Sequence, residues 1–171
     1  MAVATDVYLG NPNLKKAGTE IQFTKKQVEE WIKCKEDPLY FALNYIQIIS
    51  LDEGLVPFTM YGFQKEIMMD FHENRFNIAK LPRQTGKSTT VVAYLLHYAI
   101  FNDSVNIGIL ANKASTAREL LGRLQLAYEN LPKWMQHGIL VWNKGNVELE
   151  NGSKILAAST SASAVRGMSF N

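Results

Sequence analysis

Gly86-Lys87-Ser88 ends the segment Leu81-Pro82-Arg83-Gln84-Thr85-Gly86-Lys87-Ser88, and together these residue types have the chemistry for handling phosphate. Backbone N–H groups around a glycine at a helix start can wrap a phosphate, and the helix dipole favours its negative charge. Lys87 would reach the β- and γ-phosphates, and the Ser88 hydroxyl would ligate Mg²⁺. The tripeptide alone is a weak signal: near-average residue usage gives about 0.1 chance matches in a chain this long. The complete pattern also asks for a glycine five positions before Gly86, where this chain has Leu81. The plainer alternative is a glycine-containing turn with a solvated lysine.

Such a loop needs a strand to deliver the chain and a helix to receive it. The apolar run at residues 76–81 predicts the strand, and the pattern at 89–99 predicts the helix. Upstream, residues 1–22 carry little periodicity and read as an irregular arm. Thr24 with Gln27 makes a capping-box pattern for a helix over 25–34. Asp37-Pro38 opens a second helix. A third runs near 61–73, burying Phe63, Ile67, Met68 and Phe71. Downstream, 105–111 reads as a buried parallel strand. Ser115 caps a helix over 116–130, which Leu131-Pro132 ends. This β-α-β-α order predicts a parallel sheet with crossover helices. Short strands then follow at 139–142, 147–149 and 154–158, with Asn151-Gly152 as a type I′ turn signal.

The bulk properties set outer bounds. The 171 residues suffice for one domain with a core. Hydrophobic content of 47% and charged content of 20% are those of a globular chain rather than a disordered one. A net charge of +2 neither demands nor excludes nucleic acid. Cys34 is the single cysteine, so no disulfide framework or cysteine metal cluster is available, and a reducing compartment fits. The N-terminus has no signal-peptide pattern, and no apolar run is long enough to span a bilayer. His72, His97 and His137 are scattered and read as surface or packing residues. A phosphate-loop ATPase also needs an apolar strand ending in Asp-Glu. The one match, Ile48-Ile49-Ser50-Leu51-Asp52-Glu53, precedes the phosphate loop; it is either a permuted acidic strand or, the better reading, a loop after the second helix with a solvated acidic pair.

Residues 81–89 resemble the deviant Walker A loop of the large terminase subunit of tailed bacteriophages, which runs Arg-Gln-x-Gly-Lys-Ser/Thr and also lacks the early glycine. Tyr61-Gly62-Phe63-Gln64-Lys65 resembles that family's adenine-recognising Gln motif. Gly108-Ile109-Leu110-Ala111-Asn112-Lys113 resembles its next strand and loop. Trp142-Asn143-Lys144-Gly145 with Leu149-Glu150-Asn151-Gly152-Ser153 resembles the hairpin of its myophage members. Val165-Arg166-Gly167 resembles the segment before its Walker B strand. Coverage runs from about residue 23 to the last residue.

The resemblance implies an α/β P-loop NTPase of ASCE type, with a parallel sheet and flanking helices. A helical segment would precede it and a β-hairpin region would follow. The family's acidic strand, coupling motif and RNase H-like nuclease are not in this chain. Residues 23–171 are therefore expected to be the N-terminal part of an ATPase domain, a fragment inactive alone. The implied activity is ATP-driven packaging of viral DNA, with ATP and Mg²⁺ as cofactors. Implied partners are double-stranded DNA, portal protein and the small terminase subunit, with oligomerisation on the portal and the host cytoplasm as location.

The implied nucleotide contacts are Phe63, Gln64, Arg83, Gln84, Thr85, Gly86, Lys87, Ser88 and Thr89, with Arg83 and Lys87 catalytic. The Gln64 amide could pair with the exocyclic amine of adenine and its neighbouring ring nitrogen; otherwise it is an exposed helix-start glutamine. Arg83 could stabilise charge on the γ-phosphate; otherwise it pairs with a carboxylate. Arg166 would sense phosphate or contact DNA, or be solvated. Phe63 reads more readily as a core residue than as an adenine stacker. Two other classes stay open: a helicase-like P-loop ATPase, which usually keeps the early glycine, and a nucleotide-binding module without turnover.

Overall fold

A computed structural model describes residues 6–50, 52–160 and 169–170. In place of an irregular arm, β1 (Val7–Tyr8) and β2 (Asn11–Lys15) form a small antiparallel hairpin. Its turn holds Leu9 and Gly10 at positive φ, and Leu14 anchors it in the core. A five-residue strand carrying one buried side chain leaves no periodic trace to read.

The three upstream helices are α1 (Lys25–Glu36), α2 (Pro38–Tyr45) and α3 (Gly62–Glu73). Both halves of the α1 capping box form: Gln27 N–H donates to Thr24 Oγ1, and Thr24 N–H to Gln27 Oε1. Asp37 accepts from Leu39 and Tyr40 N–H and caps α2. Between α2 and α3, β3 (Gln47–Ser50) and β4 (Gly54–Pro57) pair as a second hairpin. Asp52 and Glu53 sit exposed in its turn, as solvated groups.

Helix α4 (Lys87–Phe101) is the central helix. Its sequence is apolar almost all round, which a helix tolerates only when surrounded. It packs against α2, α3 and α5 (Ala114–Glu129), with Ala93, Leu96 and Ala99 fully buried. Helix α5 starts two residues earlier than expected, with Lys113 rather than Ser115 preceding it.

The sheet is mixed, in the order β5 (Asn106–Ala111), β8 (Lys154–Ser159), β7 (Asn146–Leu149), β6 (Ile139–Trp142). Only β5 and β8 run parallel, from Asn106 opposite Lys154 to Ala111 opposite Ser159. The other two pairs are antiparallel, as the expected β-hairpin region requires, so the sheet as a whole is mixed. The α/β class stands. Helix α5 covers β5 and β8 on the face of Ile107, Ile109 and Ile155, while the Phe170 ring lies against Gly108 on the other face.

The strand expected at 76–81 is not formed. Residues 77–82 lie beside no strand of the described sheet, and Ile78 is 101% exposed. An extended segment becomes a strand only when a neighbour supplies ladder hydrogen bonds, and local apolarity does not reveal that neighbour. The 149–152 turn also differs from expectation. Leu149 C=O accepts from Gly152 N–H at 3.0 Å, so Glu150 and Asn151 are the central turn residues; neither has positive φ, and Gly152, the residue after them, does. A type I′ turn needs positive φ at both.

Candidate phosphate-binding loop

Helices α3 and α4 lie side by side and point the same way. Gln64 meets Thr85 and Gly86, Phe71 meets Tyr94, and His72 meets His97, so contacts climb both helices together. Met68, buried at the α3 surface, and the Tyr94 hydroxyl donating to Phe71 C=O at 2.8 Å hold the pair. Both N-termini therefore converge on the loop at 81–86, bringing two positive dipole ends to one place.

The loop backbone bends through left-handed conformations. Gly86, the residue before α4, has φ 73° and ψ 8°, and Gln84 has φ 62°. For a residue with a Cβ that region costs about 1–2 kcal/mol, and strain of this kind collects at functional sites. Two side chains fold back onto one carbonyl: Lys87 Nζ donates to Pro82 C=O at 2.9 Å and Thr85 Oγ1 donates to it at 3.1 Å. Gly86 C=O accepts from Thr89 and Thr90 N–H, so the helix begins directly after the glycine. Ser88 is half-buried on that first turn, and Thr89 lines a cavity of about 440 Å³ with Ile46, Val92 and Leu126. Arg83 and Gln84 are exposed at the bend.

The structure joins Gln64 to this loop across 21 residues of sequence. Its Nε2 donates to Thr85 C=O at 3.1 Å and its Oε1 accepts from Tyr61 N–H at 2.9 Å. Far from being an exposed helix-start residue, Gln64 is 2% exposed. Phe63 is half-buried and stacks on Tyr61 with centroids 5.9 Å apart and planes 8° from parallel. Tyr61, at 69% exposure, offers the outer face of that pair. Sequence reading did not single out Tyr61, although it opens the quoted Gln motif. It also missed the Pro82 carbonyl, for which a sequence holds no signal. Arg166, with Val165 and Gly167, lies outside the described residues.

Two features stand apart from the loop. No group of three or more potential metal ligands occurs among the described residues. No helix among them is long and apolar enough to cross a membrane.

A family model described as "Terminase large subunit, T4likevirus-type, N-terminal" matches residues 78–171. The match takes in the loop, α4, β5, α5 and the whole β6–β7–β8 region, more than half of the chain. The chain belongs to the T4-like family of terminase large subunits, the enzymes of bacteriophage genome packaging.

Proposed function

We propose that residues 81–89 bind the phosphates of Mg-ATP and that the chain contributes this nucleotide site to the DNA-packaging motor of its family. The observation that carries the reading is the loop itself. It has left-handed backbone at Gln84 and Gly86, a lysine and a serine on the helix turn that follows, and the N-termini of α3 and α4 converging on it. Left-handed turns of this type gather successive N–H groups into anion-binding concavities. A bound β-phosphate would draw Lys87 off the Pro82 carbonyl, exchanging a neutral acceptor for a charged one. The Ser88 hydroxyl would hold Mg²⁺, and Arg83, exposed at the bend, would swing onto the γ-phosphate. Gln84, Thr85, Gly86 and Thr89 complete the wrap. The base would stack on the outer face of Tyr61, since Phe63 already spends one face on that ring.

On this reading the wider machine supplies double-stranded DNA as cargo. Portal protein and the small terminase subunit are its partners, several copies act together on the portal, and the work is done in the host cytoplasm. Family membership favours this motor over a helicase-like ATPase, and Leu81 at the early glycine position agrees. Titrating a fluorescent ATP analogue onto the chain with Mg²⁺ tests the site. Saturable binding displaced by unlabelled ATP is expected. No saturable binding up to about 1 mM, an affinity of only about 4 kcal/mol, would end the proposal.

A further inference from the structure

Away from the phosphate loop, helix α1, the end of β2 and the short 3-10 helix Lys133–Met135 border a groove of about 370 Å³. Its walls are aromatic. The Phe23 ring meets Trp31 and Trp134 edge to face, with centroids 6.2 and 6.4 Å away. Phe23 and Val28 each stand 46% exposed, and Ile32, one turn beyond Val28 on α1, extends the apolar strip. Contiguous exposed apolar surface marks an interaction site, and tryptophans in a pocket carry much of the energy of such contacts.

The groove also holds a cation without a counter-charge. Lys15 lines it, and among the described residues no hydrogen bond or ion pair reaches the Lys15 ammonium. Burial pulls that ammonium below the usual lysine range, against the attraction of Glu150. Glu150 is already committed, since its two carboxylate oxygens accept from Gly18 and Gly138 N–H at 2.8 and 3.2 Å. More positive charge surrounds the opening. Lys25 and Lys26 begin α1, whose first turn holds no acidic residue, an arrangement the helix dipole disfavours. Lys133 stands next to Trp134 in the chain, drawn toward Asp6 and Glu129. Glu20 and Glu29 are exposed acidic neighbours in the chain of Phe23 and Val28.

Apolar walls around an unanswered ammonium fit a ligand that is apolar and anionic at once. The chain's own first residues, Met1-Ala2-Val3-Ala4-Thr5, hold no side-chain carboxylate to supply the charge. The rings pack against one another's edges, so they form a socket for a side chain rather than a platform for successive bases.

We propose that the groove of Phe23, Val28, Trp31 and Trp134 docks a short acidic segment of a partner protein, with a bulky apolar side chain seated among the rings and an adjacent carboxylate on Lys15. None of these residues belongs to the phosphate loop, so the proposal stands apart from the nucleotide reading.

Selecting a random hexapeptide library on the immobilised chain tests it. Enriched peptides should pair a bulky apolar residue with Asp or Glu. Titration of the leading peptide, followed by fluorescein anisotropy, should weaken about 10-fold or more in Lys15→Glu and in Val28→Asp. Circular dichroism should match the parent in both; a variant that loses it is replaced by Lys15→Gln or Val28→Ser. Selection repeated on Lys15→Glu should enrich Lys and Arg in place of the acids, a reversal that loss of structure would not produce. No enrichment over the bare support, enrichment without acidic preference, or equal affinity in the folded variants would overturn the proposal. So would tighter Lys15-dependent binding of oligo(dT) or of phosphatidylglycerol vesicles, which would make the occupant nucleic acid or membrane. A dimer of the parent that Val28→Asp dissolves would make it a second copy, and would overturn the proposal too.

Discussion

The Lys87 ammonium donates to the Pro82 carbonyl across 2.9 Å, so the loop's cation rests on the loop's own backbone. The arrangement is inexpensive to leave. Pro82 is exposed, and water can replace the lysine at its carbonyl. We therefore expect Lys87→Ala to change unfolding stability by less than about 1 kcal/mol, the scale of a net hydrogen bond with a hydrated alternative. Urea denaturation checks this. A loss of several kcal/mol would mean that Lys87 supports the fold, and its use as a binding probe would fail.

Gly86 is held by two independent constraints, its positive φ and the Gln64 amide against it. Gly86→Ala should destabilise the chain by about 1–3 kcal/mol through backbone strain and close contact together. Gln64→Ala removes the contact but leaves the strain. The double variant should therefore be more stable than the sum of the single losses predicts, by about 0.5 kcal/mol or more in a double-mutant cycle. Strict additivity would show that the two residues do not press on each other.

The exposed Tyr61 face predicts where base dependence resides. Tyr61→Ala should weaken Mg-ATP by about 1–3 kcal/mol, the scale of aromatic stacking on a base, and leave Mg-tripolyphosphate unchanged. Competition binding with the two ligands decides it. Equal losses for both would place Tyr61 among the supports of the loop.

His97 sets a pH dependence for the fold. It lies at the crossing of α1, α3 and α4, with Phe41, Tyr94 and Phe101 around it and Lys35, Asp37 and His72 as the ionisable groups nearby. Its Nε2 donates to Cys34 C=O at 2.8 Å. Burial pulls it from 6.5 down to about 4, against the opposing pull of that carbonyl bond. Between those values the unfolded chain takes up a proton that the folded chain refuses. The stability His97 contributes is complete above about pH 6.5 and drains as pH falls toward 4, by at most about 1.4 kcal/mol per pH unit. His137, lowered by its own burial, acts in the same sense. Urea midpoints measured from pH 7 to pH 4.5 should fall. His97→Gln, though less stable at pH 7, should show a shallower slope. An equal slope would exclude His97 as the titrating group.

How much of this was readable depended on how local the cause was. Thr24 with Gln27, and Asp37 before Pro38, specify helix starts within four residues, and both caps formed as expected. The β6, β7 and β8 segments carry their own alternation and turns, so their bounds were legible within a residue or so. Gly86 could be read as the hinge before α4 because glycine followed by an apolar helix is a local signal. The fate of residues 76–81 was not legible, because a strand exists only through a partner that sequence does not name. The partner of Gln64 was hidden for the same reason, since a carbonyl 21 residues away leaves no mark in composition. The parallel reading of the sheet held for β5 and β8, where α5 and the hairpin strands separate the pair. The hairpin region expected after it supplied the antiparallel pairs, since hairpins force antiparallel pairing.

Central to the account is a phosphate site that depends on Lys87, and isothermal titration of Mg-ATP onto the parent chain and onto Lys87→Ala tests it most directly. Far-UV circular dichroism should be the same for both proteins. The parent should bind at one site per chain, and the variant about 10–100-fold more weakly, as expected for the loss of a charge-assisted bond to phosphate. Equal affinity in the two folded proteins would contradict the account, because ATP would then be held somewhere other than the loop that ends in Gly86-Lys87-Ser88.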